Sequence, residues 1–429
     1  VTTSAVEGAA AFDLTVVGLG YVGLPLAQAA AAAGLRVAGL DRSNAVVAGL
    51  AAGRSHVDDL SAADITAMLD AGFTPTTDSG VLSRSEVAVI CVPTPLSPEG
   101  GPDLSAVTAA GATIGEHVHP GMLVVLESTT YPGTTEEILQ PLLEVGGLRS
   151  GIDFDLAFSP ERIDPGNPTY GMRNTPKVVG GTDPRSTRRA ADFYGRFVDR
   201  VVLARGTREA EMAKLLENTY RHVNIALVNE MARFCHELGI DLWDAISCAA
   251  SKPFGFQAFR PGPGVGGHCI PIDPNYLSHR VRSELGYPFR FVELAQEINA
   301  GMPDYVRDRV QALLSESGGK LDGARVLLLG VTYKADIADQ RESPAVPLAR
   351  ALIGSGADVS YHDPQVLVWK VGGAHLDRVV DLWAAVDSAD VTVLVQAHSG
   401  YDLAAIAARS RLLLDTRGVV PSGPGVQRL

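Results

Sequence analysis

Apolar residues along the chain gather in short runs, each closed by a polar, glycine or proline-marked stretch. Phe12 to Val17, Val37 to Leu40, Val87 to Val92, Met122 to Leu126 and Phe154 to Phe158 follow this pattern. Such runs suit strands buried on both faces of a parallel sheet, and the alanine-rich stretch up to Gly34 between the first two predicts a helix. From Thr207 to Gly239 a helical pattern runs without proline, longer than an ordinary globular helix, and predicts a spine between domains or a dimer contact. Pro288 to Leu314 is mainly helical, with a break expected at Pro303. Arg325 to Leu329, a helix after Pro344, then Val359 to Tyr361, Val391 to Val395 and Leu412 to Leu414 predict a second α/β unit.

The chain has 429 residues, more than the about 250–300 that one core supports. The expected division is a small leader over residues 1–10, an α/β domain over 11–205, a helical central domain over 206–318 and a second α/β domain over 319–429. The formal charge of −13 disfavours nucleic acid as a partner, so an anionic ligand must be gripped by local donors rather than by the overall field. Four scattered cysteines without CxxC spacing argue against a disulfide scaffold or a structural zinc, and for a reducing cytoplasm. No apolar run approaches the ~18 residues of a membrane span, and no basic segment precedes an apolar one at the N-terminus. The expectation is a cytoplasmic protein with no membrane, nucleic-acid or metal partner.

The first run ends in GLGYVG, Gly18 to Gly23, and the second is closed by Asp41. Strand, glycine turn, helix, strand and acid is the context a dinucleotide-binding turn requires. Gly18, Gly20 and Gly23 allow the tight turn, close approach to a pyrophosphate and helix-on-sheet packing, with Tyr21 and Val22 between them. Asp41 can accept hydrogen bonds from ribose hydroxyls and would repel a 2′-phosphate, which favours NAD as cofactor; Arg42 beside it weakens that preference. Because ligands sit at the carboxyl ends of parallel strands, Thr94, Thr129 and Glu161 should share the rim of the glycine turn. The later α/β unit lacks this turn and should bind something other than NAD. The fold class is thus α/β: two Rossmann-like doubly wound domains joined by a helical central domain with a long spine helix.

Pro261 to Pro274 reads PGPGVGGHCIPIDP, a stiff frame in which Gly264 and Gly267 let backbone approach a ligand and which presents Cys269 and then Asp273. Cys269 reacts only as thiolate, a form that Lys214 or a cationic nicotinamide would favour. Asp273 could orient the thiol, activate a water or cap the following turn. Lys214, Asn218 and Arg221 fall at i, i+4 and i+7, one helix face on which lysine and amide could hold an oxyanion, or a solvated face pairing with Glu211 or Glu217. Glu161 could be a general acid/base or an ion-pair partner of Arg162. Lys334 and Arg341 could grip a nucleotide diphosphate, or be surface charge amid Asp336, Asp339 and Glu342.

GLGYVG, CVPTP, ESTTYPGTTEE, SPERIDPGN, AKLLENTYRHVNIALVNE, PGPGVGGHCIPIDP and YKADIADQRESPA occur in this order. Together they resemble the UDP-glucose/GDP-mannose dehydrogenase family of nucleotide-sugar 6-dehydrogenases, from about Phe12 to Gly418. The resemblance implies oxidation of a hexose carbon 6 to a carboxylate by two hydride transfers to NAD. It makes Cys269 the nucleophile that forms a thiohemiacetal and then a thioester, Lys214 and Asn218 the groups stabilising its oxyanions, and Asp273 the acid assisting thiol and water. It makes Glu161 the general acid/base, Thr129 a residue bonding that region and the cofactor, Arg341 an NAD-phosphate arginine and Lys334 a substrate lysine. Arg162 joins the substrate set, and Arg260 is expected to reach the nucleotide sugar across a subunit interface of a homodimer or larger homo-oligomer.

Many UDP-glucose enzymes of that family carry a second glutamate four residues after the first, where this chain has Pro165; SPERIDPGN and GHCIPIDP instead look like the branch with UDP-N-acetylhexosamine 6-dehydrogenases. The main expectation is a glucose-configured UDP or TDP sugar, with UDP-N-acetylglucosamine or -mannosamine as the alternative. Remoter readings are a single-step hydroxy-acid dehydrogenase, which makes one NADH and needs no cysteine, and a non-catalytic nucleotide-sugar sensor.

Overall fold

A computed structural model describes residues 11–429 except 58, 59, 98–100, 165, 166, 168, 268 and 269. The expected leader, Cys269 and the Pro165 departure therefore lie outside the described residues. Two compact units form, one from residues up to 217 together with 275–283, the other from 218–274 and 284–429.

The first unit is built on strands β1 (Leu14–Val17), β2 (Val37–Leu40), β3 (Thr74–Thr76), β4 (Val87–Ile90), β5 (Leu123–Leu126), β6 (Asp155–Phe158), β7 (Lys177–Gly181) and β8 (Val201–Leu203). Their order is β3-β2-β1-β4-β5-β6-β7-β8, parallel except where β7 runs antiparallel to β6. The five predicted strands are wholly buried because the sheet is covered on both faces, and the side-chain alternation divides them between two cores. Leu14, Val16, Val37, Val87, Val89, Leu123 and Val125 enter one core. Val17, Leu40, Ala88, Ile90, Val124, Leu126, Leu156 and Phe158 enter the other. Strand order reverses between β1 and β4, so the crevice at their carboxyl ends lies beside the glycine turn.

The long helix spans Thr207–Glu237, and its first turns belong to the first unit. There Glu211, buried, accepts hydrogen bonds from Gly133 N at 2.6 Å, Thr135 N at 2.9 Å and the Thr135 hydroxyl at 2.7 Å. This ties the turn after β5 to the helix. Burial, opposed by those donors, pushes the Glu211 carboxyl from an ordinary 4.5 up to about 7. The folded chain thus holds this proton more tightly than the unfolded one, and the group's contribution to stability falls as pH rises from about 4.5 to about 7. Glu211→Gln should flatten the fall of Tm between acid and neutral pH. Equal slopes for variant and parent in a pH series of thermal melts would refute this.

In the second unit, strands β9 (Arg325–Leu329), β10 (Asp358–His362), β11 (Val368–Val371), β12 (Ala374–Asp377), β13 (Val391–Leu394), β14 (Leu413–Asp415) and β15 (Val426–Arg428) follow a set of helices. Five of them form a parallel sheet in the order β10-β9-β13-β14-β15, while β11 and β12 pair as an antiparallel hairpin. The expected helical region after Pro288 is two helices, Arg290–Ala300 and Met302–Glu316. They break at Gly301 and not at Pro303, which stands in the first turn of the second helix, where a missing N–H leaves no bond unmade.

Candidate active site

The three glycines after β1 meet different surroundings. Gly18 sits at φ +93°, and a Cβ there would lie 2.5 Å from the Cys91 carbonyl oxygen. At Gly23 a Cβ would lie 1.9 Å from the Gly18 carbonyl oxygen, so the helix Gly23–Ala32 packs against the turn at a distance only glycine allows. Gly20 has no heavy atom within 4 Å of its missing Cβ and faces open space. The helix has no acidic residue in its first turn, and among the described residues no side chain caps its N-terminal N–H groups. Asp41, at the end of β2, accepts from Leu19 N at 2.9 Å and Ser43 N at 2.8 Å, which fixes its carboxylate beside the turn. Arg42 and Tyr21 are exposed. These features fit a dinucleotide: the turn and helix N-terminus for its pyrophosphate, Asp41 for its ribose.

Thr94, Thr129 and Glu161 leave the adjacent strands β4, β5 and β6, on the expected rim. The Ser128 hydroxyl accepts from Val92 N at 2.9 Å and donates to Val92 O at 2.8 Å, tying the first two of these strand exits together. Thr94 is buried, and its carbonyl accepts from the Tyr276 hydroxyl. Thr129 is half-buried; its neighbour Thr130 is fully buried, with a hydroxyl that has no hydrogen-bond partner among the described residues.

Glu161 is not paired with Arg162. The Arg162 guanidinium bonds Glu217 at 2.7 Å and the Pro176 carbonyl at 2.6 Å, and the Glu161 Oε1 accepts from Ile163 N. Glu161 Oε2 is buried without a hydrogen bond from any described residue, 3.9 Å from the Lys177 ammonium. Lys177 in turn bonds Glu127 at 2.8 Å, and the Tyr194 hydroxyl donates to the other Glu127 oxygen. Burial works against the Lys177 charge, but Glu127 and Glu161 outweigh it and hold the ammonium above its usual pKa. Burial, with Glu127 nearby, pushes the Cys91 thiol well up, so Cys91 is an inert thiol.

Lys214 is buried on the long helix, and neither acid offered by the solvated-face alternative bonds it. Glu211 serves the turn after β5 and Glu217 serves Arg162. Arg221 is exposed.

In the second unit, Asn218 Nδ2 donates to Asp273 Oδ2 at 2.6 Å across 55 residues of sequence. Asp273 is buried as the first residue of the helix Asp273–Leu285. The described part of the glycine–proline loop is fixed at both ends. Gly262 N donates to Asn229 at 2.9 Å, Asn229 donates to Asn299 at 2.9 Å, and Gly267 N donates to the Arg341 carbonyl at 3.1 Å. Gly264 and Gly267 take φ of +138° and +88°, and a Cβ on Gly267 would lie 2.8 Å from the Tyr333 ring. His222, beside Asn299, is pushed down to about 4 by burial and stays neutral. The Arg341 guanidinium bonds Asp339 at 2.6 Å, and the carbonyl of half-buried Lys334 accepts from the Thr332 hydroxyl at 2.8 Å. Arg260 lies 5.8 Å over the Trp243 ring and lines a cavity of about 470 Å³ with Asp241, Arg417 and Arg428.

The glycine turn at the switch point of a sheet ordered β3-β2-β1-β4-β5-β6 makes the first unit the dinucleotide-binding part of an NAD-dependent dehydrogenase. Comparison with known proteins defines the kind. The chain belongs to the UDP-glucose/GDP-mannose dehydrogenase family, matching its NAD binding domain over residues 12–198, its central domain over 208–301 and its UDP binding domain over 327–422. It is 33% identical over 420 residues to a UDP-N-acetyl-D-mannosamine dehydrogenase of Pyrococcus horikoshii, covering 96% of each chain. A UDP-N-acetyl-D-glucosamine 6-dehydrogenase of Pseudomonas aeruginosa is 37% identical over 360 residues, covering 82% of this chain and 83% of that one. A solved structure of a UDP-D-ManNAc dehydrogenase from Pyrococcus horikoshii superposes with a TM-score of 0.87 at 33% identity, covering 97% of this chain and 98% of that one. Among the described residues no helix is long and apolar enough to cross a membrane.

Proposed function

We propose that this chain oxidises carbon 6 of a UDP-N-acetylhexosamine to the carboxylate, with NAD as the acceptor and Cys269 as the covalent anchor. The observation that carries the chemistry is the Asn218–Asp273 hydrogen bond of 2.6 Å, which joins an expected oxyanion donor to an expected acid at the start of the helix following Cys269. The sugar is argued from the relatives, which act on N-acetylhexosamine nucleotides. They favour the acetamido alternative over the glucose-configured expectation.

NAD, when bound, accepts a hydride from carbon 6 in each of two oxidations. Glu161 takes the alcohol proton as the aldehyde forms. The Cys269 thiolate adds to the aldehyde carbon, and Lys214 with Asn218 stabilises the resulting alkoxide. Loss of the second hydride leaves a thioester. Water, deprotonated by Asp273, then attacks its carbonyl; the carbon–sulfur bond breaks, releasing carboxylate and returning the thiolate. The balance is one alcohol, two NAD and one water to one carboxylate, two NADH and three protons. The covalent hold keeps the aldehyde from escaping between oxidations. The glycine turn, Asp41, Thr94, Thr129 and Arg341 serve the cofactor. Arg162, Arg260, Gly264, Gly267 and Lys334 serve the nucleotide sugar, whose UDP we place on residues 319–429.

A homodimer is part of this reading: Tyr220, Leu227 and Phe234 stand exposed along the long helix, with Leu238 just past its end, an apolar stripe suited to a second copy. A cytoplasmic location follows from the free thiol the chemistry needs.

The test is a panel of UDP-N-acetylglucosamine, UDP-N-acetylmannosamine, UDP-glucose and TDP-glucose followed by NADH absorbance. The acetamido sugars should lead in kcat/KM by about tenfold or more, the scale on which a pocket discriminates one small group. A lead for UDP-glucose would overturn the sugar, one NADH per sugar would overturn the thioester route, and no turnover on any member would favour a sensor.

A further inference from the structure

Under the rim of the first unit lies a buried cluster of charge that the chemistry above does not use. Glu127 follows β5, Lys177 opens β7, and Tyr194 ends the helix Pro184–Tyr194; none is more than 4% exposed. A lysine ammonium and a carboxylate taken out of water together are costly to keep unless their geometry is good and their remaining valences are bonded. Here Lys177 bonds Glu127 at 2.8 Å, and Tyr194 donates to the second Glu127 oxygen and also offers its ring to the Lys177 ammonium at 5.2 Å. Both oxygens of Glu127 are thereby occupied. Among the described residues the ammonium faces one further carboxylate, through the buried Glu161 Oε2 at 3.9 Å, an oxygen with no hydrogen bond from any of them. Among the described residues, the titratable groups around the Glu161 carboxylate are Lys177 from β7, Glu127 from the end of β5, Tyr194 behind Glu127 and the Cys91 thiol beyond β4. Arg162, next to it in sequence, is turned to Glu217.

We propose that Lys177 is a positioning residue for Glu161: clamped by Glu127 and Tyr194, its ammonium holds the Glu161 carboxylate in place to act as a base. That role presupposes Glu161 as the general acid/base proposed above. Glu127 and Glu161 share one cation, so removing Lys177 and neutralising Glu127 change the field at the Glu161 carboxylate in opposite senses.

Four variants of the full-length protein test this: Lys177→Met, Lys177→Arg, Glu127→Gln and Glu161→Gln, with Lys177→Met also made in the Glu161→Gln background. Lys177→Met should lower kcat about tenfold or more, keep the KM for nucleotide sugar within about twofold, and move the acid limb of the kcat–pH profile upward. Glu127→Gln should move that limb downward, and Lys177→Arg should restore it toward the parent. In the Glu161→Gln background, Lys177→Met should cost nothing further, since residues acting as one unit are not additive. An unshifted limb in Glu127→Gln, or a Lys177→Met loss that persists in full without Glu161, overturns the proposal. Should Lys177→Met not fold, the limb of the near-isosteric Glu127→Gln decides alone. If Glu161→Gln itself keeps parent activity, it is the general-base reading that falls.

Discussion

Replacing Cys269 by alanine is expected to lower steady-state formation of the carboxylate by about a thousandfold or more, the scale of losing a covalent nucleophile. The argument runs from the chemistry of the two oxidations. Removing hydride from an alcohol requires a base and an acceptor, both present without the thiol. Removing hydride from an aldehyde requires a tetrahedral adduct first, because a planar carbonyl carries no hydride that can leave with an electron-rich oxygen behind it. On the proposed route the Cys269 thiolate makes that adduct, and Asn218, on the long helix and held to Asp273 at 2.6 Å, would steady it. The Cys269→Ala enzyme should therefore pass at most one hydride per sugar, and the aldehyde should be recoverable with a hydrazine trap. Cys269→Ser should behave alike, since a hydroxyl is far less ionised than a thiol near neutral pH. Two NADH per sugar from Cys269→Ala would mean that water or another residue makes the adduct, and the covalent route would fall.

What could be read from residues alone was whatever depends on local pattern. β1, β2, β4, β5 and β6 were legible because strands covered on both faces need continuous apolar runs, and the glycine turn because its three glycines answer to contacts within one β-α-β unit. The strands that escaped notice lack that signature. β3 is Thr-Pro-Thr at the sheet edge, β7 begins with a lysine and ends in two glycines, and β11 and β12 form a hairpin that is mostly exposed apart from Trp369 and Val371. Polar pairings escaped for a different reason. Arg162 adjoins Glu161 yet bonds Glu217, 55 residues on, and Lys177 meets Glu127 across 50. Such partners are brought together by strand order, which no spacing rule reports. The helix face carrying Lys214 and Asn218 was legible at i, i+4, but the commitment of Glu211 and Glu217 elsewhere, which removes the solvated-face alternative, appears only in three dimensions.

The other large effect is expected in the cofactor turn, where two neighbouring glycines should fail in different ways. A methyl group on Gly23 would stand 1.9 Å from the Gly18 carbonyl oxygen, 3.0 Å from a Val16 methyl and 3.1 Å from the Cys91 Cβ. The nearest of these is backbone, and it cannot retreat. Gly18 is pinned by its N–H to Leu40 O at 2.8 Å, and Cys91, against which Gly18 packs, is pinned to Val17 O at 2.8 Å. The helix must lift off the sheet or the turn must rebuild, so Gly23→Ala should lose about 1–3 kcal/mol of stability, the usual cost of overpacking. Its NAD affinity should fall about a hundredfold or more, equivalent to roughly 2.7 kcal/mol. Gly20→Ala is the contrast, because no heavy atom lies within 4 Å of its added methyl. Its Tm should match the parent, since a substitution free of packing or backbone conflict changes stability by about 0.5 kcal/mol at most. Its NAD affinity should still fall, because the space it enters is where a pyrophosphate must approach the backbone. Thermal melts paired with NAD titration separate the two. A Gly23→Ala protein with parental Tm would refute the packing argument, and a Gly20→Ala protein with parental NAD affinity would place the phosphates elsewhere. Loss of affinity without loss of stability at Gly20, and of both at Gly23, is the signature of a turn shaped on one side by its own helix and on the other by the cofactor.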